Sequence, residues 1–179
     1  MDIGLIGLGR MGGNIAIRLS RNGHRVVGFD QDHSAVKASI DLGIDGVLSI
    51  QDLIVNIPRP RVLWVMLPAG DPTEEVVQGL IPMLSSGDIL VDGGNCHYLD
   101  SIRRASLAKG NGVEYMDVGI SGGINVLDRG YSVMVGGSND AFDSIEPILR
   151  SLAAEGTAYG WVGPSGSGHY AKMVHNGIE

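Results

Sequence analysis

After the initial methionine the chain reads Asp2-Ile3-Gly4-Leu5-Ile6-Gly7-Leu8-Gly9-Arg10-Met11-Gly12, and this stretch decides the fold. Residues 2–6 are a short apolar run of strand length, and residues 11–22 read as an amphipathic helix. Between them lies G-x-G-x-x-G, in the strand–turn–helix setting that the motif needs. The first glycine permits the tight turn, the second lets a pyrophosphate approach the backbone, and the third lets helix and strand pack closely. Free N–H groups at the helix start then face an anion, helped by the helix dipole. Gly7, Leu8, Gly9, Arg10, Met11 and Gly12 are therefore candidate cofactor contacts. A glycine-rich turn without a ligand is the plainer alternative.

The same alternation continues outward. Strands are expected at Asp2–Ile6, Arg25–Phe29, Gly46–Leu48, Val62–Met66, Asp88–Val91 and Glu114–Val118. Helices are expected at Met11–Asn22, Ser34–Leu42, Ser49–Val55, Thr73–Leu84 and Asp100–Lys109. Strand then helix, repeated, predicts an α/β, Rossmann-like, doubly wound sheet, mostly parallel, with helices on both faces. Beyond residue 120 the pattern loosens into a strand at Ser132–Val135, a helix at Ala141–Ala153 and a strand at Tyr159–Val162. The run Gly163–Gly168 reads either as a linker or as a turn feeding a last helix. The expected division is a cofactor-binding domain over 1–162, with 163–179 the loop and start of an interdomain helix.

The 179 residues fit one domain with a substantial core. A net charge of −7 and a pI near 5.1 argue against sequence-independent nucleic-acid binding, which needs a basic face. Cys96 is the only cysteine, so no intrachain disulfide can form. No basic leader and no apolar stretch of membrane-spanning length is evident, so a cytoplasmic protein without membrane partners is expected.

Further candidates stand at the ends of the expected strands. Asp30 closes the second strand, near the ~20-residue offset of the acid that takes ribose hydroxyls. A turn or cap role is its alternative, although Asp32 suits the cap better. Gln31 and Asp32 follow, and no Lys or Arg appears before Lys37, so a 2′-phosphate would meet carboxylates. NAD is expected over NADP. Leu67 and Pro68 could line the cofactor at the end of the fourth strand, beyond which such sheets bind ligands. Asn95, after Gly93-Gly94, offers both a donor and an acceptor to a polyhydroxylated substrate or a carboxamide. Cys96 beside it has no evident activating partner. Ser121-Gly122-Gly123 offers a hydroxyl and unencumbered N–H groups to a carboxylate or oxyanion. In the final segment GHYAKMVHNGIE, helical spacing puts Tyr170, Met173, Val174 and Ile178 on one side, and Lys172, His175, Asn176 and Glu179 on the other. No clustered metal ligand set is seen.

Together these pieces resemble the 6-phosphogluconate dehydrogenase family, within the wider β-hydroxyacid dehydrogenases. The resemblance rests on GLGRMG (7–12), MLPAG (66–70), DGGNCHYLDS (92–101), YMDVGISGGINVLDRGYSVMVGG (115–137) and GSGHYAKMVHNGIE (166–179). The glycine loop, the ISGG loop and the Lys172…Asn176 pair belong to the wider group; the last helix and the DGGN pattern are more specific. Cys96 departs from the serine expected there, and the acidic FDQD (29–32) fits the NAD-dependent branch.

The resemblance implies oxidative decarboxylation of 6-phosphogluconate to ribulose 5-phosphate, in gluconate breakdown or the pentose phosphate route. It implies Lys172 as general base and Glu179 as general acid. Asn95, Ser121, Gly122, Gly123, His175 and Asn176 would hold the sugar phosphate. An exposed lysine, with a pKa near ~10.4, would be protonated; burial beside the nicotinamide would favour the neutral base. The resemblance further implies an all-helical C-terminal domain, absent here, that builds a homodimer or homotetramer. The chain then reads as a cofactor-binding portion, able to bind NAD yet slow or inactive alone. The rival readings are another β-hydroxyacid dehydrogenase, such as one acting on 3-hydroxyisobutyrate, and a non-catalytic dinucleotide-binding module.

Overall fold

A computed structural model describes residues 1–122 and 126–178. Eight strands form one sheet: β1 (Asp2–Ile6), β2 (Arg25–Phe29), β3 (Asp45–Val47), β4 (Val62–Val65), β5 (Ile89–Asp92), β6 (Glu114–Ser121), β7 (Ser132–Gly136) and β8 (Tyr159–Gly163). Their spatial order is β3-β2-β1-β4-β5-β6-β7-β8. The first six run parallel; β7 is antiparallel to β6, and β8 is parallel to β7. The mostly parallel, doubly wound expectation therefore holds, with a reversed edge. The order changes direction between β1 and β4, the switch point where such sheets open a ligand crevice beyond the strand ends.

Helices α1 (Arg10–Arg21), α2 (His33–Ile40), α3 (Ile50–Asn56), α4 (Asp71–Leu80) and α5 (Tyr98–Gly110) link the parallel strands. Helix α6 (Val126–Arg129) precedes β7, α7 (Asn139–Leu152) follows it, and α8 (Ser167–Ile178) follows β8. Successive strand residues supply two cores, as period-two alternation requires. Val62 and Trp64 join Ile15 and Leu19 of α1 and Ile148 and Leu149 of α7 on one face. Leu63 and Val65 join Leu53 of α3, Val77 and Leu80 of α4 and Ala108 of α5 on the other.

Three expected boundaries move for identifiable reasons. Helix α4 begins at Asp71, not Thr73, because Pro72 sits in the first turn, where its missing N–H costs nothing. It ends at Leu80, before a 3-10 turn over Ile81–Met83 that contains Pro82. Strand β6 runs past Val118 to Ser121, because its last residues pair with β7 from Asp117↔Gly136 to Ser121↔Ser132. Of the run 163–168, Gly163 ends β8, residues 164–166 form the turn, and Ser167 and Gly168 begin α8, so it feeds the last helix as a turn. Among the described residues, no helix is long and apolar enough to cross a membrane.

Candidate active site

The glycine loop is built as its spacing requires. Gly7 turns at φ +94°, and its N–H donates to Phe29 O at 2.9 Å. A Cβ on Gly12 would lie 1.9 Å from Gly7 O, so only glycine lets α1 sit this close to β1. A Cβ on Gly9 would meet nothing within 4 Å, which leaves the backbone open to an incoming group. No side chain caps α1 and its first turn holds no acid, so its leading N–H groups face outward unanswered. These features fit a dinucleotide pyrophosphate.

Asp30, half-buried at the end of β2, ties this loop down. Its Oδ2 accepts the Leu8 N–H at 2.7 Å and its Oδ1 accepts the Asp32 N–H at 2.8 Å. Asp32 caps α2 by accepting the Ser34 N–H at 2.8 Å. A side cavity of about 320 Å³ opens beside Asp30, between Phe29 and Gln31 on one side and Pro72 and Val76 on the other. Asp71 and Glu75 join Asp30 in its lining, with no Lys or Arg among the described lining residues.

A larger cleft of about 1200 Å³ lies beyond the carboxyl ends of β1, β4, β5 and β6. Of the expected site residues, Gly9, Arg10, Met11, Gly12, Leu67, Pro68, Asn95, Ser121, Gly122, Lys172, His175 and Asn176 line it. Gly7 and Asp30 line the side cavity, which shares Leu67 and Pro68 with the cleft. Leu8 is buried and contributes its N–H to Asp30. Gly123 and Glu179 lie outside the described residues. In a chain of net charge −7, the cleft presents Arg10, Arg129 and Lys172 and no carboxylate among its described lining residues. Such a site favours an anion over the protein's mean field.

Helix α8 presents its polar side to the cleft. Lys172 and His175 are half-buried there, whereas Met173, Val174 and Ile178 are 43%, 42% and 82% exposed. The apolar side is the wetter one, an inversion of ordinary helix burial. The Asn176 amide donates to Asn95 Oδ1 at 3.4 Å, which joins α8 to the turn after β5.

That turn rests on a buried charge network that sequence reasoning did not single out. Asp92, fully buried, accepts from the Gly94 N–H at 3.1 Å, Arg104 Nη1 at 3.0 Å and the Tyr115 hydroxyl at 2.7 Å. Arg104 Nε reaches Glu74 at 2.8 Å, and Arg103 binds the same carboxylate through both terminal nitrogens. Burial, and then Asp92, push the Cys96 thiol up to about 11, which agrees with its reading as a bystander. Arg129, on the unexpected helix α6, was also missed; Arg18 holds its segment by donating to Leu127 O at 2.9 Å.

Hydrogen bonds from Arg103, and then from Arg104, hold the Glu74 carboxyl at about 2, below its ordinary 4.5. A depressed carboxyl contributes stability above its unfolded pKa and loses it as pH falls through the folded one. Acidification from about pH 5 towards pH 2 should therefore erode this contribution. Glu74→Gln should flatten the fall in thermal midpoint over that window. An unchanged slope would remove the network from acid stability.

Comparison with known proteins adds the following. The family profile for the NAD binding domain of 6-phosphogluconate dehydrogenase matches residues 2–163. The NAD(+)-dependent, decarboxylating 6-phosphogluconate dehydrogenase of Haloferax volcanii is 42% identical over 179 residues, which is 100% of this chain and 59% of that protein. Plasmodium falciparum 6-phosphogluconate dehydrogenase, solved in its apo form, with its cofactor NADP+ and with its substrate 6-phosphogluconate, superposes with a TM-score of 0.93 at 34% identity. The match covers 99% of this chain and 40% of that one. Mycobacterium tuberculosis 3-hydroxyisobutyrate dehydrogenase superposes with a TM-score of 0.89 at 24% identity, over 99% of this chain and 59% of its own, and shares the fold. The chain thus spans roughly two-fifths to three-fifths of the length of these relatives.

Proposed function

Because the chain belongs to the 6-phosphogluconate dehydrogenase family, we propose that it is the NAD-binding and catalytic-face portion of an enzyme that oxidises and decarboxylates 6-phosphogluconate to ribulose 5-phosphate. One observation carries the reading. A single cleft, lined by cations and by no described carboxylate, holds the glycine loop, Asn95 and the Lys172, His175, Asn176 face. A dinucleotide and a phosphorylated sugar acid are both anions, and both suit that charge.

The division of labour follows from the chemistry. Residues 1–162 hold the dinucleotide, and 163–179 carry catalytic groups towards a helical domain that builds the dimer or tetramer. Bound nicotinamide supplies the hydride acceptor for C3 of the substrate. Neutral Lys172 takes the C3 hydroxyl proton as hydride departs, and its ammonium then hydrogen-bonds the new ketone oxygen. That bond draws the electron pair of the breaking C1–C2 bond towards the ketone oxygen as C1 leaves as carbon dioxide, so the former C2 becomes C1 of the enediol. Glu179, assigned by the family resemblance, returns a proton to C1 of the enediol. Asn95, Ser121, Gly122, Gly123, His175 and Asn176 hold the substrate's oxygen atoms. NAD is favoured over NADP because Asp30, Asp71 and Glu75 crowd the cavity at the ribose end without a cation.

The test is a substrate panel on the full-length protein, read by NADH and carbon dioxide formation. A kcat/KM for 6-phosphogluconate at least ~100-fold above that for 3-hydroxyisobutyrate is expected, since a site built for phosphate and hydroxyls leaves polar groups unpaired with the smaller acid. The reverse preference would make the protein a different hydroxyacid dehydrogenase. Tight NAD binding without turnover of either would make it a non-catalytic module.

A further inference from the structure

We propose that Asp117 is a positioning residue: its buried carboxylate, acting with the bare surface of Gly119, seats α8 so that Lys172 stands in the cleft. The inference rests on the reading of Lys172 as the base.

Asp117 lies inside β6, fully buried, in register with Gly136 of β7 and Asp92 of β5. Asp92 spends its charge on Arg104 and Tyr115. Asp117 has no ion pair among the described residues. Its oxygens go to the start of α8: Oδ1 accepts the Gly166 N–H at 2.6 Å and Oδ2 accepts the His169 N–H at 2.8 Å. Leading helix N–H groups lack partners within the helix, and a carboxylate there also meets the positive end of the dipole. One side chain thus fixes the height and direction at which α8 leaves the sheet.

The contact surface permits one seating. A Cβ on Gly168 would lie 2.3 Å from Asp117 O, 2.7 Å from Met134 O and 2.8 Å from Gly136 N, all backbone atoms that cannot swing away. A Cβ on Gly119 would lie 2.5 Å from Lys172 Cβ and 2.8 Å from Gly168 O. Backbone therefore packs on backbone where α8 crosses β6 and β7, and Lys172 rests directly on Gly119. Rotation is fixed from the other side, where the Ser101 hydroxyl meets His169 Nδ1 at 2.7 Å, both residues buried. Lys172 stands about one turn, ~5 Å, beyond the His169 anchor, so a tilt there passes straight to its amine.

Two variants of the full-length protein test this. Asp117→Asn keeps the shape but turns one acceptor into a donor facing an N–H. Gly119→Ala keeps the carboxylate and pushes on Lys172. Each should lower kcat for 6-phosphogluconate by about tenfold or more, because small misplacements of a reacting group are costly. The dissociation constant for NAD should stay within about twofold, since the glycine loop and Asp30 are untouched. In Asp117→Asn, amides 166–172 should exchange with deuterium about tenfold faster while those of 10–16 do not change. A kcat within about twofold of wild type in both variants overturns the proposal, as does a loss of NAD binding parallel to the loss of kcat in Gly119→Ala. Should Asp117→Asn give no folded protein, Gly119→Ala decides by the same criteria, since it removes no buried acceptor. If the wild type fails to turn over 6-phosphogluconate, the functional reading falls, and exchange at 166–172 still decides the anchor.

Discussion

Lys172→Arg should be as inactive as Lys172→Ala in the full-length protein, each losing roughly 10²–10⁴-fold in kcat with NAD affinity nearly unchanged. The pairing of variants separates two roles that a single alanine change confounds. The cleft already holds Arg10 and Arg129, and Lys172 could act as a third fixed cation that attracts the anionic substrate. Arginine keeps that charge at every accessible pH and cannot accept a proton. If charge is what matters, Lys172→Arg recovers most of the activity and the alanine variant shows its defect in KM. If proton acceptance from the C3 hydroxyl matters, both variants fail in kcat. Near-normal turnover in either removes Lys172 as the base. Lys172 is half-buried, with its Cβ against Gly119 and its side chain lining the cleft beside His175 and Asn176, so arginine would present its charge to the same cleft.

What the sequence made legible was local. The roles of Gly7, Gly9 and Gly12 depend on atoms a few residues away, and the turn, the open face and the close packing all appear where the spacing places them. Asp32 caps α2 for the same reason. The two faces of the last helix were also legible, because helical geometry alone divides them. Which face meets the cleft came from the family resemblance and not from the periodicity, because it depends on what packs against the helix, and here the polar side meets the cleft. Asp92 and Asp117 looked like ordinary strand ends. Asp117 finds its partners only when α8, about fifty residues later in the chain, returns to the sheet. Gly119 looked like the end of β6 and is instead an interior strand position kept bare for α8. Arg129 escaped notice because a helix of 4 residues leaves no periodicity to read.

The second large effect should appear at Asp30. The chain should bind NAD at least tenfold more tightly than NADP, a difference of about 1.4 kcal/mol, and Asp30→Asn should bring the two affinities close together. Each Asp30 oxygen already accepts one backbone N–H, from Leu8 and from Asp32, and keeps capacity for a ribose hydroxyl. A 2′-phosphate would add charge to a cavity that Asp30 shares with Asp71 and Glu75. Asparagine removes one of those charges but cannot accept both backbone N–H groups, so NAD affinity should fall as NADP repulsion eases. Equal binding of the two cofactors by the wild type would strip Asp30 of its discriminating role. Salt separates repulsion from shape. Added salt shortens the Debye length to ~3 Å at 1 M, so a preference that arises from carboxylates in an open cavity should shrink as salt rises. A preference set by the size of the cavity would persist at every salt concentration, and Asp30→Asn would then leave the ratio where it was.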